Sequence, residues 1–311
     1  MQLQFTNLDA NETVFFLREL EFVKGMLYNK LYPEFVWSTL FPVDSSAGPA
    51  AESITYRQYD MVGLMKFMSN YGDDAPRADV FAKEFTVAVK PIRGAYGYNY
   101  QEIQAAMMAN RPLKTLKADA AFQAYNQTIN DVAWFADGSN AFMGVYGFLY
   151  NPNVTKTNAP TGSWLTSATA DQIIADVNYA ITRPAVLTKK VERVNTVLMP
   201  VEHYAKIAST RVSTVSDTTI LEFLQKVHSG VTFMDCNELA AVNPKPSGGA
   251  GPTDVLVAYR RDSSKLELYI PLPFMQFPPQ ERNLEYVVNT LARVAGIGYY
   301  YPLSCIFLEG I

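Results

Sequence analysis

Apolar residues first recur at helical spacing at Phe16, Leu20, Val23 and Leu27, with Arg18, Glu19 and Glu21 between them. Asp9 and Glu12 have the spacing of a capping box, so the pattern predicts an amphipathic helix over Glu12–Tyr28 behind a polar, extended Met1–Asn11. Its apolar stripe must cover its own domain or a neighbouring copy. Pro33 and Pro42 bracket an extended stretch, and Ser45–Ala51 reads as a loop. Ile54–Met68 has strand character, with Ile54, Tyr56 and Gln58 on one face. The turn-rich Asn70–Asp79 follows, and Val80–Tyr98 is β-rich again, with Phe81, Phe85, Val87 and Val89 on one parity. Two such stretches around a charged turn predict a long hairpin, which has no core of its own and must lie against something else.

The period then changes. Asn99 and Glu102 are placed to cap a short helix, and Pro112 stands near the start of the next. Leu113–Ala136 predicts an Ala-rich helix about 36 Å long, with Leu116, Ala120, Ala124, Val132 and Ala133 near one face. Gly138–Asn153 is a turn region. Thr169 and Gln172 form a capping box before Ile173, Ile174, Val177 and Ile181, which predicts a helix over Thr169–Thr182. Val194–Met199 reads as a buried strand, and Pro200 opens a helix through Ala208. Asp217 precedes a stripe of Ile220, Leu221, Leu224 and Val227. Strands are expected at Val231–Asp235, Asp254–Arg260, Lys265–Ile270 and Glu285–Ala295, and in Ile297–Phe307, broken at Pro302. There is no fixed-period repeat and no regular βαβ alternation, so the fold class is α+β.

Composition adds three constraints. Hydrophobic residues are 49% of 311, enough for a sizeable core, so wholesale disorder is excluded. Charged residues are 18%, a little below the roughly 25% usual in soluble domains, and aromatics are 13%; Tyr-rich surfaces suit extensive contact, although a Tyr-rich core explains the same count. Net charge is −4 with no basic run, which argues against a tight direct grip on nucleic acid. No apolar run is long enough to span a membrane, the N-terminus lacks a signal-peptide pattern, and two cysteines suit a reducing setting.

Candidate chemistry is sparse. His203 and His228 have no ligand-spaced partner, so each reads as a surface or hydrogen-bonded histidine. Cys236 and Cys305 lie in apolar strand contexts and read as buried, inert thiols. Ser247–Thr253 is Gly-rich but lacks the Lys-Ser/Thr ending of a phosphate loop. Asp73, Asp74 and Asp79 lack the spacing of a calcium loop, and Arg77 among them points to ion pairing. No catalytic residue, metal or cofactor is expected.

Several segments, in this order, carry a resemblance: FFLRELEFV (Phe15–Val23), FPV (Phe41–Val43), DDAPRADV (Asp73–Val80), YGYNYQEIQAA (Tyr96–Ala106), PLKTLKADAA (Pro112–Ala121), GFLYNPNV (Gly147–Val154), VLMPVEHYAKIA (Val197–Ala208), SDTTILEFL (Ser216–Leu224), FPPQERNLEY (Phe277–Tyr286) and YYPLSCIFLEGI (Tyr300–Ile311). The chain resembles the major capsid proteins of tailed bacteriophages with the Hong Kong 97 fold, in a branch related to encapsulin-like shell proteins. Thr182–Arg193 departs from any pattern.

The resemblance implies an N-terminal arm over 1–48, an extended E-loop hairpin over 49–98 and a peripheral domain with a long spine helix over 99–158. It implies a mainly axial domain over 159–278 and a return to the peripheral domain over 279–311. The implied function is self-assembly into hexamers and pentamers of an icosahedral shell around a double-stranded DNA genome, in the virion, after assembly in the host bacterial cytoplasm. The chain itself is the main partner. Portal, scaffolding and cement or decoration proteins are others, packaged DNA is contacted non-specifically, and no membrane is involved. Candidate assembly contacts are Phe16, Leu20 and Val23 on the first helix, Asp73, Asp74, Arg77 and Asp79 at the hairpin tip, and Gln280, Glu281 and Arg282 after the stiff Pro278-Pro279. An encapsulin-type compartment shares the architecture and differs in cargo. A soluble enzyme is the alternative from another class, and the isolated histidines weigh against it. A tail or decoration protein is a third, and the long Ala-rich helix weighs against a tail tube.

Overall fold

The computed structural model describes residues 35–67, 77–108, 113–213, 215–240 and 253–311. The expected helix Glu12–Tyr28, and with it Phe16, Leu20 and Val23, lies outside them, as do Asp73, Asp74 and most of the Gly-rich Ser247–Thr253. A short helix, α1 (Trp37–Leu40), and a two-residue strand, β1 (Val43–Asp44), lead into β2 (Ser53–Val62). β2 pairs antiparallel with β3 (Asp79–Ala88) in unbroken register from Ser53↔Ala88 to Val62↔Asp79. Ile54, Tyr56, Phe85, Val87 and Ala88 at the base are partly buried, and the outer part is exposed on both faces.

The second β stretch differs from the expected single arm over Val80–Tyr98. It divides at Val89, whose N–H bonds the Glu52 carbonyl at 2.9 Å. Beyond that point β2 has no residues left to pair. β4 (Lys90–Asn99) leaves the hairpin and pairs antiparallel over ten positions with β12 (Glu285–Val294), a strand almost two hundred residues away. Val89 is buried at this junction with Tyr269 and Ala295.

Asn99 then caps α2 (Tyr100–Met108). Its side chain accepts from the Gln101 N–H at 3.2 Å, and Glu102 accepts from the Asn99 N–H at 3.4 Å. α3 (Leu113–Phe135) is the expected long helix. Its buried surface is not the expected stripe, because Ala120 and Ala124 are exposed. Burial concentrates at the C-terminal end, where Ile129, Asn130, Val132, Ala133 and Trp134 are enclosed nearly all round, so a single face does not describe it. Phe41, Trp134 and Phe148 meet there with ring centroids 4.9–5.5 Å apart. Gly147 permits this approach, since a Cβ would sit 2.6 Å from the Val132 carbonyl oxygen.

The rest is a sheet with helices packed against it. The strands β5 (Thr155–Asn158), β6 (Thr196–Met199), β7 (Thr232–Asp235), β8 (Val255–Tyr259) and β14 (Cys305–Glu309) stand in the order β5-β14-β8-β6-β7. α4 (Ala170–Leu187), α5 (Val201–Ser209) and α6 (Ile220–Val227) supply Ile173, Val177, Ile181, Ile207, Ile220 and Leu224 to the core with Leu256, Ala258, Ile306 and Leu308. The Thr169–Gln172 capping box forms, and Thr219 with Glu222 forms another. α4 runs five residues past the expected Thr182, through Pro184; a proline there forfeits one backbone bond, which its buried packing offsets. β9 (Leu266–Tyr269) lies between β1 and β13 (Gly296–Tyr299). β10 (Leu272–Gln276) and β11 (Gln280–Arg282) pair with β12 on the edge opposite β4. The strands β1, β5, β10 and β11 carry little period of their own and exist through their pairing partners.

Candidate assembly surfaces

The hairpin is the most exposed apolar feature among the described residues. Met61, Val62, Leu64, Met65 and Phe67 in and after β2, and Val80 and Phe81 in β3, are all exposed, Met65 and Phe67 completely. Monomeric proteins rarely leave so much contiguous apolar surface in water. The described ion pair of the hairpin, Arg57–Glu84 at 2.7 Å, is exposed and contributes little.

The hairpin base, by contrast, is fixed by aromatic contacts. Tyr56 stacks on Phe85 at 5.2 Å and meets Tyr300 edge-on at 4.9 Å. Its hydroxyl donates to the Tyr299 carbonyl at 2.8 Å. Behind it Tyr269 donates to the Tyr300 hydroxyl at 2.8 Å, and Tyr300 donates to Glu267 at 2.6 Å. Burial, then the Glu267 carboxylate accepting its proton, push the Tyr300 phenol far up, and burial pushes Tyr269 up to about 12. Both phenols stay protonated and keep donating. Arg293 donates to the Pro49 carbonyl at 2.6 Å on the same side. The base is therefore held to β13 and the segment after it, while the apolar side chains of the outer part stand in solvent.

The expected contact residues fall on separate elements. Arg77 precedes β3, and Asp79 begins it; both are exposed, and the Asp79 carboxylate accepts from the Val80 N–H at 2.8 Å. Arg77 and Asp79 form no ion pair with each other, and Asp73 and Asp74, the other members of the expected cluster, lie outside the described residues. Gln280, Glu281 and Arg282 form β11, all exposed, and close a hairpin with β12 through Asn283 and Leu284. Both turn residues have positive φ (40° and 58°), as a type I′ turn requires. The structure does not bring Arg77 and Asp79 together with Gln280–Arg282.

Of the groups that could signal chemistry, His203, Cys236 and Cys305 are buried and His228 is half-buried. His203 is fully buried rather than on the surface. Its Nε2–H donates to the Ile311 carbonyl at 3.2 Å, Nδ1 has no partner among the described residues, and burial, partly opposed by Asp254, lowers its pKa. His228 faces Asn178 at 2.7 Å, and burial lowers its pKa too. Cys236 and Cys305 are buried and form no disulfide, and burial pushes both thiols far up. No cluster among the described residues has the ligands for a metal ion, and no described helix is long and apolar enough to cross a membrane.

Sequence reasoning missed the Tyr56–Tyr300–Glu267 anchor. The run Tyr299-Tyr300-Tyr301 was its only signal. It also missed the buried Glu192, which accepts from Lys265 at 2.6 Å with Arg260 at 3.9 Å, because Glu192 lies in the patternless stretch after Thr182.

A family model described as major capsid protein matches residues 63–311. Similar solved structures include the capsid of Myoviridae phage XM1 (19% identity, 94% of this chain and 98% of that one, TM-score 0.81). A chain of Mycobacterium phage Ogopogo (11% identity, 98% and 99%, TM-score 0.62) and the capsid of a native GTA particle (7% identity, 93% and 94%, TM-score 0.62) share the fold. A search of curated protein sequences finds no match. Matched over most of its length, and sharing its α+β fold with phage capsids, the chain belongs to the major capsid protein family.

Proposed function

We propose that this capsid protein closes its shell by laying the β2–β3 hairpin over an adjacent copy within hexamers and pentamers. The observation that carries the reading is the hairpin's division into an anchored base and an exposed, apolar outer part. The base sets a direction, and the outer part offers Met61, Leu64, Met65, Phe67 and Phe81 for burial. At about 25 cal/mol per Å2, burying several such side chains supplies several kcal/mol per contact before the costs of association.

In this reading the hairpin is the E-loop and α3 is the spine helix. β4 and β10–β12 build the peripheral domain, and the five-stranded sheet with α4–α6 builds the axial domain. The final residues serve both, since β13 touches the spine helix while β14 joins the five-stranded sheet. The shell encloses double-stranded DNA and assembles in the host cytoplasm, with portal, scaffolding and cement proteins as further partners. The chain has no catalytic role. The buried His203 and the two buried thiols support that part of the reading. Asp73, Asp74, Arg77 and Asp79 at the tip, and Gln280, Glu281 and Arg282 on β11, are proposed rim contacts between copies, and Phe16, Leu20 and Val23 a further one.

The test is a Met61→Lys/Phe81→Lys variant beside wild type. Both positions are exposed, so thermal unfolding of the subunit should barely change, while closed particles disappear from electron micrographs. Particles of normal size and number would refute the hairpin's role. Purified particles carrying an enzyme instead of DNA would favour the encapsulin-type container.

A further inference from the structure

The end of the β4–β12 pairing farthest from the core exposes an apolar patch. From Val294, buried beside Ala295, β12 runs back nine residues to Glu285, about 30 Å at the rise of a strand. There α2 and the β11–β12 turn lie side by side, with the Tyr100 N–H bonded to the Leu284 carbonyl at 3.0 Å. No residue of α2 is buried. The helix is tied down by the Asn99 cap and by Glu102, which pairs with Lys117 of α3 at 2.6 Å. Tyr100 and Met107 stand seven positions apart, on one face of the helix, and both are exposed. So short a helix is marginal in water without a packed face.

Leu284 sits in a backbone conformation that disfavours it. A type I′ turn favours Asn-Gly, because both central positions need positive φ. Asn283 conforms, but the second position holds a leucine at φ 58°, where a Cβ is strained. Packing within the subunit does not explain the choice, since Leu284 is 78% exposed. A strained, solvent-facing leucine beside Tyr100 is explained if the patch is buried in the assembly. The rim of the patch carries both signs of charge. Glu281, Arg282 and Glu285 are exposed. Among the described residues none of the three has an ion-pair partner, although Arg282 and Glu285 are opposite each other across the turn.

We propose that this patch joins neighbouring rings of the shell by packing against the same patch of a second copy. Two observations select that occupant. A hairpin contact that closes a ring is used up within it, so a different surface must join one ring to the next. Such a surface has to lie at the outer edge of the ring, and the patch lies at the end of its sheet remote from the core. The rim is also its own complement. With two copies face to face, Arg282 of each can meet Glu281 or Glu285 of the other, while Leu284, Tyr100 and Met107 are withdrawn from water. The inference rests on the shell reading and adds the contact between rings that the hairpin does not supply.

The experiment compares wild type with Leu284→Gly, Leu284→Asn, Arg282→Glu and the triple variant Glu281→Arg/Arg282→Glu/Glu285→Arg. The readouts are urea unfolding, size-exclusion chromatography and electron microscopy. Glycine and asparagine both tolerate the left-handed position, so the urea midpoint should stay level or rise. Assembly should fail in the same proteins: five- and six-membered rings accumulate, and the concentration needed for closed shells rises at least tenfold. Arg282→Glu should give the same block, and the triple variant, which inverts every rim charge on both copies, should restore shells. Closed shells at the wild-type concentration from a folded Leu284 variant, or from Arg282→Glu, would overturn the proposal. Loss of rings together with shells would also overturn it, by placing the patch inside the ring. So would a block by Arg282→Glu that the triple variant does not relieve, which would assign the patch to a different partner surface. If wild type forms neither rings nor shells, the shell reading fails by itself. The patch is then judged by dimerisation of the subunit in the ultracentrifuge, which Leu284→Asn weakens at least tenfold if the proposal holds and leaves unchanged if it does not.

Discussion

Replacing Tyr56 with Ala tests the claim that the hairpin is fixed only at its base. The change removes a stacked ring, an edge-on ring contact and one hydrogen bond to the Tyr299 carbonyl. Aromatic pairs contribute about 0.5–1.5 kcal/mol each beyond their buried area, and a hydrogen bond about 0.5–1.5 kcal/mol net. The ring is only half-buried, so roughly half of that sum is a fair expectation, about 1–2 kcal/mol. That corresponds to about a 5–30-fold change in a local opening equilibrium. Amide hydrogen exchange reads it directly. Amides of β2 and β3 should exchange about 5–30-fold faster in the variant. Those of β6, β8 and β14, in a sheet Tyr56 does not touch, should be unchanged. Equal acceleration everywhere would mean that Tyr56 supports the global fold. No acceleration in the hairpin would mean that its strand pairing alone holds it, and the anchor argument would be wrong.

Three further outcomes follow from the geometry. Lys189→Gly relieves a left-handed side-chain conformation at the end of α4 and should raise stability by about 1 kcal/mol, seen as a higher midpoint in urea; a lower midpoint would show that the lysine side chain makes a contact worth more than the strain. Phe148→Ala removes a ring packed among Phe41, Trp134, Tyr259 and Phe307 and should cost about 3–5 kcal/mol, read as a lower urea midpoint. His203 titrates lower when folded than its ordinary 6.5, mainly through burial. The unfolded chain therefore binds that proton first, and stability falls as pH drops through 6.5 and below. His203→Gln should flatten that slope, and an unchanged slope would remove His203 as its source.

Elements whose side chains carry their own period are legible in the sequence. The capping box at Thr169–Gln172, the stripe Ile173–Val177–Ile181 and the apolar run Val194–Met199 lie within or beside the elements they predict. What could not be read depends on distant partners. β4 reads as a continuation of β3, and only pairing with β12 separates them. β11 contains Gln280, Glu281 and Arg282, all exposed, and becomes a strand through a two-residue turn in which Leu284 takes a conformation favoured by glycine. The C-terminal half of α3 is enclosed on several sides, which erases the one-sided stripe that periodicity seeks. Functional surfaces were the hardest part. Single apolar residues in β2 and β3 read as strand alternation, and their exposure on both faces emerges only once the hairpin is seen to leave the core.

The most direct test of the account is electron microscopy of the purified protein beside size-exclusion chromatography. The account predicts closed particles, or discrete five- and six-membered rings that close when concentration or scaffolding protein is raised. A monomer that persists at every concentration, with or without scaffold, would contradict it.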